Sequence, residues 1–152
     1  MNILDAKPWT HLNGSIVTDI RQYIQDHASE KFRVHIGTDT KPSSSHTTLI
    51  TTICFREEAK GAVVVYQKSK IGVFPTVRDR LFHETYVSLE VAEAVTPLVG
   101  YPPTIHADVN PRQDTLSSQV MDGVVGIIKG MGYPVIIKPE AWAADIADMY
   151  TR

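Results

Sequence analysis

The sequence has a single cysteine, Cys54, among 152 residues. A disulfide within the chain and a cysteine-based zinc site are therefore both excluded. No apolar run approaches the roughly 20 residues that a membrane helix needs. No internal repeat and no low-complexity tract is present. The opening stretch, MNILDAKPWTHLNGS, lacks the basic-then-apolar pattern of an export signal. A cytoplasmic location with no membrane partner is the expectation. G-x-G-x-x-G, Walker A and H-E-x-x-H strings are missing, which argues against a nucleotide cofactor and against a helix-borne zinc pair. Charge of one sign is not in excess: 15 Lys and Arg stand against 17 Asp and Glu, a net of −2. That excludes a bulk basic coat for nucleic acid, but not an enzyme that grips nucleic acid locally.

What is present is an ordinary globular composition, with 43% hydrophobic and 21% charged residues. The length fits one domain over 1–152, with residues 1–30 as an N-terminal helical extension. Apolar residues at helical spacing (Ile16, Val17, Ile20, Tyr23, Ile24) predict a helix over 13–28, capped by Asn13 or Ser15. Three strand-like runs follow at 32–39, 47–55 and 61–69, joined by short polar links that favour antiparallel pairing. A long helix over 76–98 begins at Thr76, with Asp79 three residues on, and stops at Gly100. A strand over 104–109, a helix over 114–131, a strand over 134–138 and a final amphipathic helix complete the chain. In the 114–131 helix, Val120, Val124, Ile127, Ile128 and Met131 form one stripe. Gly123, Gly126 and Gly130 flank it and read as close helix packing. The fold class is α/β, with a five-stranded mixed sheet whose first three strands are antiparallel and whose later crossovers are parallel and right-handed.

Acidic residues gather at positions that this architecture brings together. Asp39 ends the first strand in HIGTDTK and shares a face with His35 and Gly37. Asp108 ends the fourth strand in HADVNP and shares a face with His106. Either one alone reads more readily as a turn-capping Asp. Glu84 is more telling. At about 100° per residue, it falls within about 60° of Val77, Leu81, Val87, Val91, Val95 and Leu98, the stripe that faces the sheet. A carboxylate there needs either an ion-pair partner, such as Arg80 or a strand lysine, or a metal ion. Asp145 and Asp148 share a face of the final helix. They read as a solvated face, or either one of the two as the source of a fourth carboxylate. Hard carboxylate oxygens suit Mg²⁺ or Mn²⁺. Two such ions can activate water and stabilise a leaving oxygen in phosphodiester cleavage.

Other chemistries are weaker. His35 and His106 read as core groups or as groups behind the acids, and Cys54 reads as a small buried hydrophobe. HIGTDTK does not fit an aspartyl-phosphate enzyme, because Lys41 stands where a second Asp is needed. Residues 60–80 carry Lys60, Lys68, Lys70, Arg78 and Arg80 against one acid, Asp79. This segment can contact phosphates beside the acids or form a solvated basic face.

The strings HIGTDTK, FHETYVSLEVAEAV, HADVNP and KPEAWAADIAD, with the element order over residues 32–152, resemble the ribonuclease H-like superfamily, most closely its YkuK-type branch. The resemblance implies a three-layer fold, with the N-terminal helix as an addition. It implies a metal site at Asp39, Glu84, Asp108 and Asp145 that holds a pair of Mg²⁺ or Mn²⁺ ions and hydrolyses RNA, DNA or hybrid. The segment before the last Asp, Lys138 to Trp142, lacks the histidine of full ribonucleases H; the expectation is that Lys138 replaces it in steering product or substrate. The substrate-contacting set is then Lys41, Lys68, Lys70, Arg78, Arg80 and Lys138, with His35 and His106 behind the ligands. The rival readings are a non-catalytic nucleic-acid-binding or assembly module, and a metal-dependent phosphohydrolase of small phosphoesters.

Overall fold

The computed structural model describes residues 2–29, 32–57, 61–110 and 116–151. In chain order its elements are α1 (Ile3–Ala6), β1 (Trp9–His11), α2 (Ile20–His27), β2 (Phe32–Pro42), β3 (Thr47–Glu57), β4 (Gly61–Ile71), α3 (Val77–Val99), β5 (Thr104–Ala107), a 3₁₀ turn (Leu116–Gln119), α4 (Met121–Gly130), β6 (Val135–Ile137) and α5 (Trp142–Thr151). The strands form one mixed sheet in the order β1-β4-β3-β2-β5-β6. β2, β3 and β4 pair antiparallel, as do β4 and β1, whereas β5 and β6 run parallel to β2. Among the described residues, no helix is long and apolar enough to cross a membrane.

Alternation along β2 divides the molecule into layers. Val34, Ile36, Thr38 and Thr40 face α3, where Thr38 Oγ1 and Ser88 Oγ lie 2.7 Å apart and Thr40 Oγ1 donates to Glu84. His35, Gly37 and Asp39 face the opposite side, which α5 covers. The main core lies on the α3 side and joins Ile36, Ile53, Val65 and Ile105 to Leu81, Val91 and Val95 of α3 and to Val124 and Ile128 of α4. Fully burying each such side chain stabilises the fold by about 1.5–3 kcal/mol. A smaller cluster of Cys54, Val64 and Ala143 lies under α5. Burial pushes the Cys54 thiol up to about 12, so it stays protonated and inert.

α3 forms as its signals predict. The Thr76 hydroxyl accepts from the Asp79 N–H at 3.1 Å and donates to the Asp79 carboxylate at 2.9 Å. Gly100, at φ 82°, ends the helix in the left-handed conformation that glycine adopts without strain.

Three expectations need correction. The sheet has six strands, not five. The additional one, β1, has only three residues after Pro8, too few to show a period, and is held by burial of Trp9 and pairing with β4. The helix predicted over 13–28 occupies only Ile20–His27, with Asp19 as its cap. Residues 13–18 instead fold back: Gly14 sits at φ 96°, Val17 N–H bonds the Trp9 carbonyl, and Thr10 bridges Ile16. Ile16 and Val17 thus belong to a turn whose β-branched residues mimic a helical stripe, and Ile16 is 65% exposed. In α4, close packing holds only at Gly123, where an added Cβ would come within 3.2 Å of the Phe82 ring. Gly126 and Gly130 face open space, and Met131 is exposed. Residues 114 and 115, the expected start of that helix, lie outside the described residues, as does Lys60.

Candidate active site

The β2–β5 pairing covers only His35 to Gly37, while β2 continues to Pro42. β5 ends at Ala107, and beyond it the sheet opens beside β2. Asp39 stands on β2 at this opening, and Asp108 follows β5 directly. Glu84 reaches the opening from α3 below. Asp39, Glu84 and Asp108 each place a carboxylate oxygen within 4.8 Å of the others. Asp39 and Glu84 are buried, at 6% and 4% exposure, and Asp108 is half-buried.

Such a cluster has a clear electrostatic consequence. Burial pushes the Glu84 carboxyl well above the usual range, and the Asp108 charge pushes it further. The Thr40 hydrogen bond pulls it back, Asp39 raises it again, and Arg80 lowers it. Arg80 is held here by its own bonds, its Nη1 donating to the Thr40 carbonyl and hydroxyl at 3.3 Å each. Both partners that the sequence offers Glu84, a cation from the chain and a metal, are thus compatible with its surroundings. Arg80 alone does not offset burial plus two neighbouring acids. The donor set of three hard oxygens around one point fits a divalent cation of the Mg²⁺ or Mn²⁺ kind.

Asp145 comes from the exposed side of α5, in its first turn. It does not join the three-carboxylate group, but it lies near enough to act on Lys138. The Asp148 side chain lies outside the described residues. Lys138 Nζ sits 2.6 Å from Asp108 Oδ1. Burial works against the Lys138 charge, but the hydrogen bond and charge of Asp108, with Asp145 and Asp39 adding, hold its ammonium above the usual range.

α5 is seated by a contact that the sequence reading missed. A Cβ on Gly37 would lie 2.5 Å from the Ala143 carbonyl carbon. Only glycine therefore lets the start of α5 lie directly on β2. Thr52 Oγ1 bonds the Ala143 carbonyl at 3.1 Å from the neighbouring strand. A lone glycine within a β-branched strand is the signal that could have shown this. Thr40 was likewise missed, and alternation along β2 places it on the Glu84 side.

His35 and His106 lie behind the acids and against Trp142. His106 Nδ1 accepts the Ala143 N–H at 3.2 Å, so the His106 proton is on Nε2. That nitrogen, 2.9 Å from His35 Nδ1, donates to it. Both rings are neutral. Burial lowers His35 to about 4, with Arg56 and Arg33 adding, and lowers His106 to about 3, with His35 and Arg56 adding. The pair packs at the N-terminus of α5, where His106 holds the Ala143 N–H and His35 accepts from His106.

The basic residues separate into groups. Strand register pairs Asp39 with Ile50 and Ile50 with Lys68, and pairs Lys41 with Thr48 and Thr48 with Lys70. Paired residues point the same way, so Lys41, Lys68 and Lys70 share the Asp39 face of the sheet, and all three are exposed. Arg78 does not join them. Its guanidinium lies 5.3 Å from the Phe82 ring centre, on a different side of α3 from Glu84.

A family model described as Ribonuclease H-like matches residues 15–152. No curated protein matches the chain. Among solved structures, the RNase H1 from the halophilic archaeon Halobacterium salinarum NRC-1 is similar at 15% identity and a TM-score of 0.45, over 77% of this chain and 92% of that one.

Proposed function

This chain belongs to the ribonuclease H-like family, and on that premise we propose that it is a divalent-metal-dependent nuclease that hydrolyses nucleic-acid phosphodiester bonds. The observation that carries the reading is the convergence of Asp39, Glu84 and Asp108 at the opening beside β2, with Glu84 buried on a helix face that should be apolar. A purely structural domain gains nothing from three mutually repelling carboxylates.

Asp39, Glu84 and Asp108 would hold the ion, with Asp145 approaching from α5. A bound Mg²⁺ or Mn²⁺ supplies an activated water and neutralises charge on the leaving oxygen. The rest falls to the chain itself. Thr40 and Arg80 orient the Glu84 carboxylate. Gly37, Thr52 and His106 hold the first turn of α5, and so the position of Asp145. Lys41, Lys68 and Lys70 offer phosphate contacts in register with Asp39. A nucleic acid lying across that face would meet the lysines first and the acids at the strand end.

The test is a panel of labelled RNA, DNA and RNA–DNA hybrid, plus a small phosphoester, each incubated with Mg²⁺, Mn²⁺ or EDTA. The expected outcome is cleavage of at least one polynucleotide with metal and none with EDTA. Tight binding of nucleic acid without cleavage would replace the reading with a binding module. Hydrolysis of the small phosphoester alone would replace it with a phosphohydrolase.

A further inference from the structure

The acids at the end of β2 form two overlapping groups. Asp39, Glu84 and Asp108 converge around one point. Asp108, Asp145 and Asp39 are the acids that act on the ammonium of Lys138, which already sits 2.6 Å from Asp108 Oδ1. Asp39 and Asp108 belong to both groups, Glu84 to the first and Asp145 to the second.

Lys138 is not a surface lysine that happens to bend inward. β6 pairs with β5 in parallel up to Ala107 and Ile137. The next residues on the two strands are Asp108 and Lys138. Lys138 N–H donates to the Val109 carbonyl at 3.1 Å, which fixes its backbone beside Asp108. The strand register itself delivers the ammonium to the second group. The lysine is half-buried there, so solvent screens its charge only in part.

We propose that this chain binds one divalent ion, among Asp39, Glu84 and Asp108, and that the Lys138 ammonium occupies the place a second ion would otherwise take. The proposal rests on the metal-dependent reading above and departs from the two-ion expectation drawn from the sequence. Two divalent ions in a two-metal site stand about 3.5–4 Å apart. The Lys138 ammonium takes up an oxygen of Asp108 and would repel a second dication that close. It also supplies positive charge on the Asp145 side at all times, whereas an ion supplies it only when bound.

The test is a calorimetric titration of the full chain with Mn²⁺, with bound Mn²⁺ counted in parallel by electron paramagnetic resonance. The expected stoichiometry is one ion per chain for the parent protein and two for Lys138→Ala. Lys138→Gln keeps the reach and removes the charge, and is also expected to bind two. It remains the readout if the alanine variant folds poorly by circular dichroism. Two ions on the parent protein would overturn the proposal and leave the nuclease reading standing. One ion on both the parent and the folded variants would overturn it as well. No ion on the parent protein would remove the metal site itself, and the proposal with it.

Discussion

Replacing Gly37 with alanine tests whether the seating of α5 governs the site. The added Cβ would lie 2.5 Å from Ala143 C, 2.6 Å from Ala144 N and 2.7 Å from Ala143 O. Carbon contacts relax only at about 3.5 Å, so α5 must retreat from β2 by about 1 Å. The obstructing atoms are backbone, so no rotamer change relieves them. The retreat stretches the Thr52–Ala143 and Ala143–His106 hydrogen bonds, now 3.1 and 3.2 Å. Overpacking of this kind costs about 1–3 kcal/mol. For a domain of this size, that lowers Tm by roughly 2–12 °C. Asp145 rides on the same helix turn, and a displacement of about 1 Å in an active site can cost about 100-fold in rate. Differential scanning fluorimetry gives the first number, and initial rates on the best substrate of the panel give the second. A Gly37→Ala protein with unchanged Tm and unchanged rate would refute the argument that β2 positions Asp145 through this contact.

Glu84→Gln should stabilise the metal-free protein at neutral pH. The folded pKa of Glu84 lies above the unfolded one, so its contribution is present at low pH and is lost as pH rises through the folded value. The same variant should lose the rise in Tm that Mn²⁺ gives the parent, and thermal scans with and without Mn²⁺ check both. The neutral His35–His106 pair works in the opposite direction, since both folded pKa values, about 4 and about 3, lie below the unfolded 6.5. Its stability contribution is present above about pH 6.5 and is lost as pH falls from there through about 4 and about 3. His106→Asn should flatten that part of the Tm–pH curve. Replacing Lys41, Lys68 and Lys70 with alanine should weaken binding across substrate sequences and reduce the salt slope by about 0.7–0.9 per lysine, read by fluorescence anisotropy.

The sequence was most legible where one residue broke a strong pattern. Glu84 on an apolar helix stripe, and acids at the ends of two strands, were enough to locate the cluster, because helix and strand periodicity determine facing directly. Periodicity failed at the N-terminus, where Ile16, Val17 and Ile20 keep helical spacing although a positive-φ glycine turns the chain between strand and helix. The β1 strand was invisible because its stability comes from Trp9 and β4, not from its own three residues. Local composition placed Arg78 with the other basic residues, whereas its turn of α3 directs it to Phe82. The role of Gly37 left a signal, a lone glycine in a β-branched strand, but its partner in α5 did not. The role of Lys138 depends on β6 becoming the neighbour of β5, a long-range fact that a single sequence does not carry.

The central claim is that the three converging carboxylates hold a metal that cleaves nucleic acid. Asp39→Asn removes one charge with almost no change in shape, so it separates charge from packing. The decisive measurement is the Mn²⁺-dependent cleavage rate of labelled RNA, DNA and hybrid by the parent and the Asp39→Asn protein, at equal thermal stability. The account predicts cleavage by the parent that EDTA abolishes, and none above background by the variant. Equal rates from the two proteins would contradict it.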